Sequence, residues 1–433
     1  MKAHGLIRSL LLVGKKLAVM IGIYHMSVFI RNARILTLRQ EGGAAVPVRA
    51  RRGGQMKDLG VVPRGDVLII DDKIAAVGED LACPAGAEKI DAEGRVLMPG
   101  FVDCHTHACW AGDRLDEWMR HLAGELPEAV RKGGGGLPAT VRAVRAATRK
   151  QLAAGLRLRL DELLRGGTTT VEVKSGYGLT EGEELKMLHA IQRAAAEWAG
   201  TVQATALLGG ALDGEAAAYT RLVVREMLPA IWHEFPGVTI DARCDETAWP
   251  VEACVRLFER ARKHGLPVRV QTDRYSSTGM ILEAIKLHAR SVDDLSEASA
   301  TDLRALAASE TTAVLLPATN FHENRRAPRG QVLLSAGGLV ALASNFNPAS
   351  SPTHSMPFVI ALAVRYSGFS LAEAIYASTV NAAAVLGFTD RGTIEVGRRA
   401  DVLLLRHRDE RDLAFQIGAN PVEKVICGGQ VIH

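Results

Sequence analysis

Short apolar runs alternating with longer amphipathic stretches dominate this chain of 433 residues. Residues 27–98 read as brief strands parted by turns: Val28–Ile30, Ile35–Leu38, Val67–Ile70, Ile74–Val77 and Arg95–Met98, with Asp71-Asp72 placed for a hairpin turn. From Pro99 onward, strand and helix patterns take turns. The strand candidates are Phe101–Asp103, Thr169–Val173, Val202–Leu207, Val238–Cys244, Val268–Gln271, Ala313–Leu316 and Leu339–Ala343. Long Ala/Leu/Arg helices lie between several of them, such as Thr140–Leu164 and Glu183–Ala199. Parallel strands joined by crossover helices in this number predict an α/β chain built as a (β/α)8 barrel of the TIM type. The tail returns to strands at 392–397, Asp401–Leu405, Val425–Cys427 and Gln430–Ile432. Strands at both ends predict a small β-sandwich domain assembled from both termini. The expected division is 27–98 plus 391–433 for that domain, 99–390 for the barrel and 1–26 as a leader.

The leader carries Lys2 and Arg8 ahead of Leu10–Val13, and Lys15-Lys16 parts that run from Leu17–Tyr24. Neither apolar run reaches the roughly 20 residues needed to cross a bilayer, and no small-residue cleavage site is clear. An equal reading starts the working protein near Met26. Composition narrows the class further. Apolar residues make up 48% and aromatics 5%, which suits a helix-rich enzyme. The net charge is only +4, and the arginines are scattered apart from short clusters such as Arg49–Arg52 and Arg325-Arg326. With no basic face interleaved with aromatics, nucleic acid is not an expected partner. Six cysteines without a Cys-x-x-Cys spacing fit reduced thiols and a cytoplasmic location.

The candidate chemistry centres on His105-Thr106-His107, at the end of the apolar run from Val96. Histidines at i and i+2 of a strand share a face, so one divalent ion can reach both imidazoles. The structural alternative is a pair of packed core histidines. The Pro99-Gly100 entry, Phe101-Val102 and the loop Ala111–Arg114 favour a metal-site ancestry. Cys104 and Cys109 flank the pair, but Cys104 alternates to the other face from His105. The run Gly133–Gly136 lacks a following Lys-Ser/Thr and reads as a loop.

The motif Pro99–His107, the tail 392–402 and the β-domain made from both termini resemble the amidohydrolase superfamily. Ala111–Arg114, 133–140, Glu172–Leu179 with Glu184–Leu188, Val314–Pro317 and Phe346–Pro348 are similar to imidazolonepropionases, enzymes of histidine degradation that open a cyclic amide. The likeness runs from about Ser27 to the C-terminus. It implies one divalent metal, zinc or iron, held by His105, His107, a third His and an Asp. It also implies that Arg114, Tyr177 and Asn347 contact the substrate's carboxylate and ring, and that the barrel can pair as a homodimer.

This chain departs from the pattern at its centre. Gln271 stands where the third His belongs, and Asn345 where the Asp belongs. Arg274 replaces a Glu, Ala211 a His, Asp294 a further His and Pro127 a Tyr. Metal-assisted hydrolysis needs a held ion, an acidified water and a base. Amides ligate zinc poorly, and they accept no proton near neutral pH. A guanidinium also opposes a cation. Asp273, Asp294 and His288 are the candidate substitutes, with ordinary polar loop residues as the bland reading. Three functions follow: an imidazolonepropionase-like hydrolase with altered catalysis, a non-catalytic protein binding a small anion or a partner, and a hydrolase of another substrate using Asp273 or Asp294.

Overall fold

The computed structural model describes residues 26–39, 46–212 and 214–432, so the expectations for 1–25 lie outside it. The termini build one eight-stranded sheet from β1 (Ser27–Leu36), β2 (Val61–Ile70), β3 (Lys73–Gly78), β4 (Glu88–Asp91), β5 (Val96–Pro99), β14 (Val402–Leu405), β15 (Val422–Cys427) and β16 (Gln430–Val431). Its inner faces share the apolar cluster of Val28, Ile30, Val67, Leu97, Val402 and Ile426. The two N-terminal runs read from the sequence are one strand, β1, interrupted by register shifts around Ala33 and by Asn32 at φ 55°. Asp71 takes φ 54° in the hairpin between β2 and β3, as its position predicts. Residues 392–397 form turns instead of a strand. Their backbone bonds reach singly to Thr37 and Ile74, and no ladder forms.

The other sheet is parallel and has eight strands in sequential order: β6 (Phe101–Asp103), β7 (Thr168–Lys174), β8 (Thr201–Gly209), β9 (Thr239–Cys244), β10 (Val268–Thr272), β11 (Ser291–Asp294), β12 (Thr312–Leu315) and β13 (Val340–Leu342). A bridge between Thr106 and Phe346, just past β6 and β13, brings the two edges together. The (β/α)8 barrel expected from the sequence is therefore present. Strand β11 is the one that apolar patterning misses, because Ser-Val-Asp-Asp offers a single apolar residue.

Helices cover the outside. The stretch expected as one helix over 140–164 is two. Before them come α1 (Leu115–Leu122) and α2 (Pro127–Lys132); α3 (Leu137–Ala146) then ends where Thr148 caps α4 (Arg149–Arg165). In that cap the Thr148 hydroxyl accepts from the Gln151 amide while the Gln151 side chain accepts from the Thr148 amide. The next helix, α5 (Glu181–Ala196), follows β7. The glycine run 133–136 links α2 to α3, and the Gly136 N–H donates to Glu117.

Candidate functional site

The end of β6 carries the histidine pair to the C-terminal rim of the barrel. Asp103 accepts from the Ser344 amide at 3.1 Å and from the Ser344 hydroxyl, which ties the ends of β6 and β13 together. Burial pushes this carboxyl up to about 6, against the hydrogen bonds from Ser344 and His105 that favour its charge. Asn345 N–H donates to His105 O at 3.0 Å, and His107 N–H to Phe346 O at 2.9 Å. His105 and Asn345 thus meet at the rim. The imidazole centroids lie 5.4 Å apart, and the Tyr177 ring is 6.0 Å from His107.

His105 is fully buried, with Nδ1 2.5 Å from Asp293 Oδ2. The same carboxylate oxygen accepts from Arg269 Nη2 at 2.6 Å, and with this acceptor opposite it Nδ1 is the ring nitrogen placed to donate. That leaves Nε2 as the lone-pair nitrogen, and it has no hydrogen-bond partner. Burial, reinforced by Lys174 and Arg269, holds His105 well below the ordinary histidine range.

Beneath the pair runs a closed web of charge. Arg269 also donates to Glu172 at 2.7 Å and to the Ser291 hydroxyl at 2.8 Å. Lys174 bridges Glu172 at 2.8 Å and Asp241 at 2.6 Å. Burial would lower Lys174, but Asp241 and Glu172 outweigh it and hold the ammonium above its ordinary value. The register explains the convergence: Asp241 pairs with Arg269 and Gln271 with Asp293, so these side chains share the inner face. Sequence reasoning missed Asp293 and Arg269 as part of the site. The available signal was a polar residue at alternate positions of these strands: Glu172 and Lys174, Arg269 and Gln271, Ser291 and Asp293.

Four of the replaced positions, Gln271, Arg274, Asp294 and Asn345, lie at or just past the ends of barrel strands. The Gln271 amide donates to Asp294 Oδ2 at 3.4 Å, and the Asn345 amide to the Thr319 hydroxyl at 2.9 Å, leaving Asn345 Oδ1 unpartnered. Arg274 lies 2.6 Å from Glu323 and 3.9 Å from Asp294. Asp294 also accepts from Ser296, so it serves this ion pair. Asp273 does not share the face of Gln271. At φ 56° the chain turns, and its carboxylate accepts from Thr272 and Thr278 on the 272–278 loop. His288 lies just past the helix Met280–Lys286. Ala211 packs with Val141 and Leu179.

Of the residues assigned to substrate contact, Tyr177 stands beside His107. Arg114 is clasped by Glu117 through Nε at 2.7 Å and through Nη2, and donates to Thr140 at 3.1 Å. Asn347 folds back on its own loop, donating to Asn345 O at 2.6 Å and accepting from Ala349 and Ser350. The segment around Tyr177 is held by Glu184, which accepts from the amides of Gly176, Gly178 and Leu179. Gly176 takes φ 106°, and a Cβ there would strike Leu207.

The donor set does not fit a tightly held divalent ion. It comprises two imidazoles and one amide oxygen, and the carboxylate that touches the pair, Asp293, is engaged through Oδ2 by Arg269 and by the far nitrogen of His105. Among the described residues no three His, Cys, Asp or Glu side chains converge as ligands. Cys104 lies in an apolar cluster with Val102, Val314 and Ala341, and Cys109 in the main core.

An eight-stranded parallel barrel bearing His-x-His at its rim, beside a sheet from both termini, is an amidohydrolase arrangement. The chain belongs to the amidohydrolase family, whose model matches residues 96–432. Within it the chain is imidazolonepropionase-like. It is 39% identical over 379 residues to the imidazolonepropionase of Deinococcus radiodurans, covering 88% of this chain and 94% of that one. The imidazolonepropionase of Symbiobacterium thermophilum is also 39% identical, over 396 residues, covering 88% and 93%. Among solved structures, a triazine hydrolase variant matches at TM-score 0.68 with 17% identity, covering 94% of both chains. The atrazine chlorohydrolase of Arthrobacter aurescens, complexed with zinc, matches at 0.65 with 18% identity over 93% of this chain and 94% of that one. At that identity the likeness concerns the fold. Among the described residues no helix is long and apolar enough to cross a membrane.

Proposed function

We propose that this imidazolonepropionase-like amidohydrolase retains a binding site for a small carboxylate-bearing heterocycle while its metal-dependent ring opening is impaired. The observation that carries the reading is the rim itself. Gln271 and Asn345 fill the positions of a ligand imidazole and carboxylate, and Arg274 is locked to Glu323 and Asp294 where a proton acceptor is needed. Zinc or iron, the ions expected from the resemblance, would polarise the ring carbonyl and acidify water when bound. Among the described residues, His105 Nε2, His107 and the Asn345 amide oxygen would be left to hold either one.

The residues that persist serve recognition. Tyr177 offers a ring face beside His107, and Arg114 offers a guanidinium whose present partner, Glu117, is a side chain that a ligand carboxylate can displace. Metal content and ring opening of imidazolone propionate, measured on the same purified sample together with calorimetric binding, test the proposal. Binding with substoichiometric metal and no turnover supports it. A stoichiometric ion with turnover like that of the relatives overturns it.

A further inference from the structure

We propose that a groove on the outer helical layer, remote in sequence from the histidine pair, is a second binding site, selective for a compact polyphosphate anion. The groove lies between the helix Val251–Lys263 and the segment that runs from the helix Ala216–Leu222 into the π-turn Val223–Met227. Its volume is about 360 Å³, and its rim carries Arg221, Arg225, Arg256, Arg260 and Lys263 against the lone carboxylate of Glu259. The local excess of four positive charges equals that of the entire chain, +4. Composition therefore does not account for the cluster.

The cations are mutually exposed to one another's field. Arg256 and Arg260 stand at i,i+4, and Arg260 and Lys263 at i,i+3, where like charges weaken a helix. Among the described residues none of the five forms an ion pair within 4.0 Å, although Glu259 stands on the same helix face. Arg260 is also oriented: its guanidinium lies 5.5 Å from the Trp232 ring, which stacks on His264 at 3.6 Å. Val224 and Thr220 floor the groove.

A concave, uncompensated set of guanidiniums matches phosphate oxygens in charge and in fork geometry. The cluster is compact, without a long stripe or base-stacking aromatics on its rim, which favours a small polyphosphate over a nucleic-acid backbone.

Titration calorimetry of the full chain with inorganic tripolyphosphate at low salt tests this. Saturable binding that weakens linearly in log salt is expected. The exposed pair Arg256→Glu and Arg260→Glu should weaken it about tenfold per reversal, with circular dichroism unchanged. Glu259→Gln should tighten it. Absence of binding at low salt, binding that the double reversal leaves intact, or tighter binding of duplex DNA through the same residues would each overturn the proposal.

Discussion

Asp293 bonds His105 with the same carboxylate oxygen that takes Arg269, at 2.5 and 2.6 Å, and all three side chains are buried. The rim histidine is therefore anchored from below by the barrel's own ion web. Removing the charge of Asp293 leaves Arg269 with Glu172 as the one carboxylate it bonds and weakens the acceptor opposite Nδ1. Asp293→Asn should cost about 3–5 kcal/mol, the usual penalty for breaking a buried pair on one side. Urea unfolding measures it, and a loss below about 1 kcal/mol would mean that water reaches the web.

The second prediction concerns the lost ligands. Gln271→His with Asn345→Asp restores two donors beside His105 Nε2 and His107. Without metal, the new carboxylate at position 345 is almost fully buried, and the variant should be less stable than the parent. Zinc should then reverse the loss. At a hundredfold excess over its dissociation constant it should add about 2.7 kcal/mol to the variant and little to the parent. Thermal melts with and without zinc check this, and a variant indifferent to zinc would show that positions 271 and 345 do not face the histidines.

How much of this was legible in the sequence differs between scaffold and rim. Glycine and proline punctuation with β-branched runs located every barrel strand except β11, since parallel strands buried on both faces read as apolar segments. Strand β11 escaped because Asp293 points into the barrel as a counter-ion, a role that hydrophobic patterning scores as loop. The break at Ala147 escaped because Thr148 and Gln151 lie within a sequence of high helix propensity, and only their reciprocal bonds mark the boundary. At the rim, spacing paired His105 with His107, and the family resemblance set Gln271 and Asn345 beside them. It could not reveal that Asp273 turns away at φ 56° or that Arg114 is held by Glu117. Those outcomes depend on side-chain partners distant in space or on a single backbone angle.

The third prediction tests whether Arg274 and Asp294 form a unit. Asp294 is fully buried and Arg274 nearly so, and burial, which would lower the guanidinium's affinity for its proton, is outweighed by Asp294 and Glu323. Arg274→Gln alone strands Asp294, at a cost of about 3 kcal/mol. Adding Asp294→Asn should recover part of that loss. A double-mutant cycle should return a coupling of about 1–3 kcal/mol, whereas additive effects would separate the two residues.

The last prediction turns on Glu184, whose carboxylate gathers three backbone N–H groups beneath Tyr177. Burial outweighs those bonds and raises its affinity for a proton above the ordinary value. The folded state therefore keeps the proton to higher pH than the unfolded chain does. Its contribution is fully present below the unfolded carboxyl range and is lost as pH rises through the raised folded value. Stability attributable to this group should accordingly decline across that window. Glu184→Gln removes the slope but sets a side-chain NH2 against at least one backbone donor, a loss of about 1–3 kcal/mol. Unfolding at several pH values separates the two effects. A variant that is flatter in pH yet less stable throughout is expected, and one that keeps the parent's slope would place the titration elsewhere.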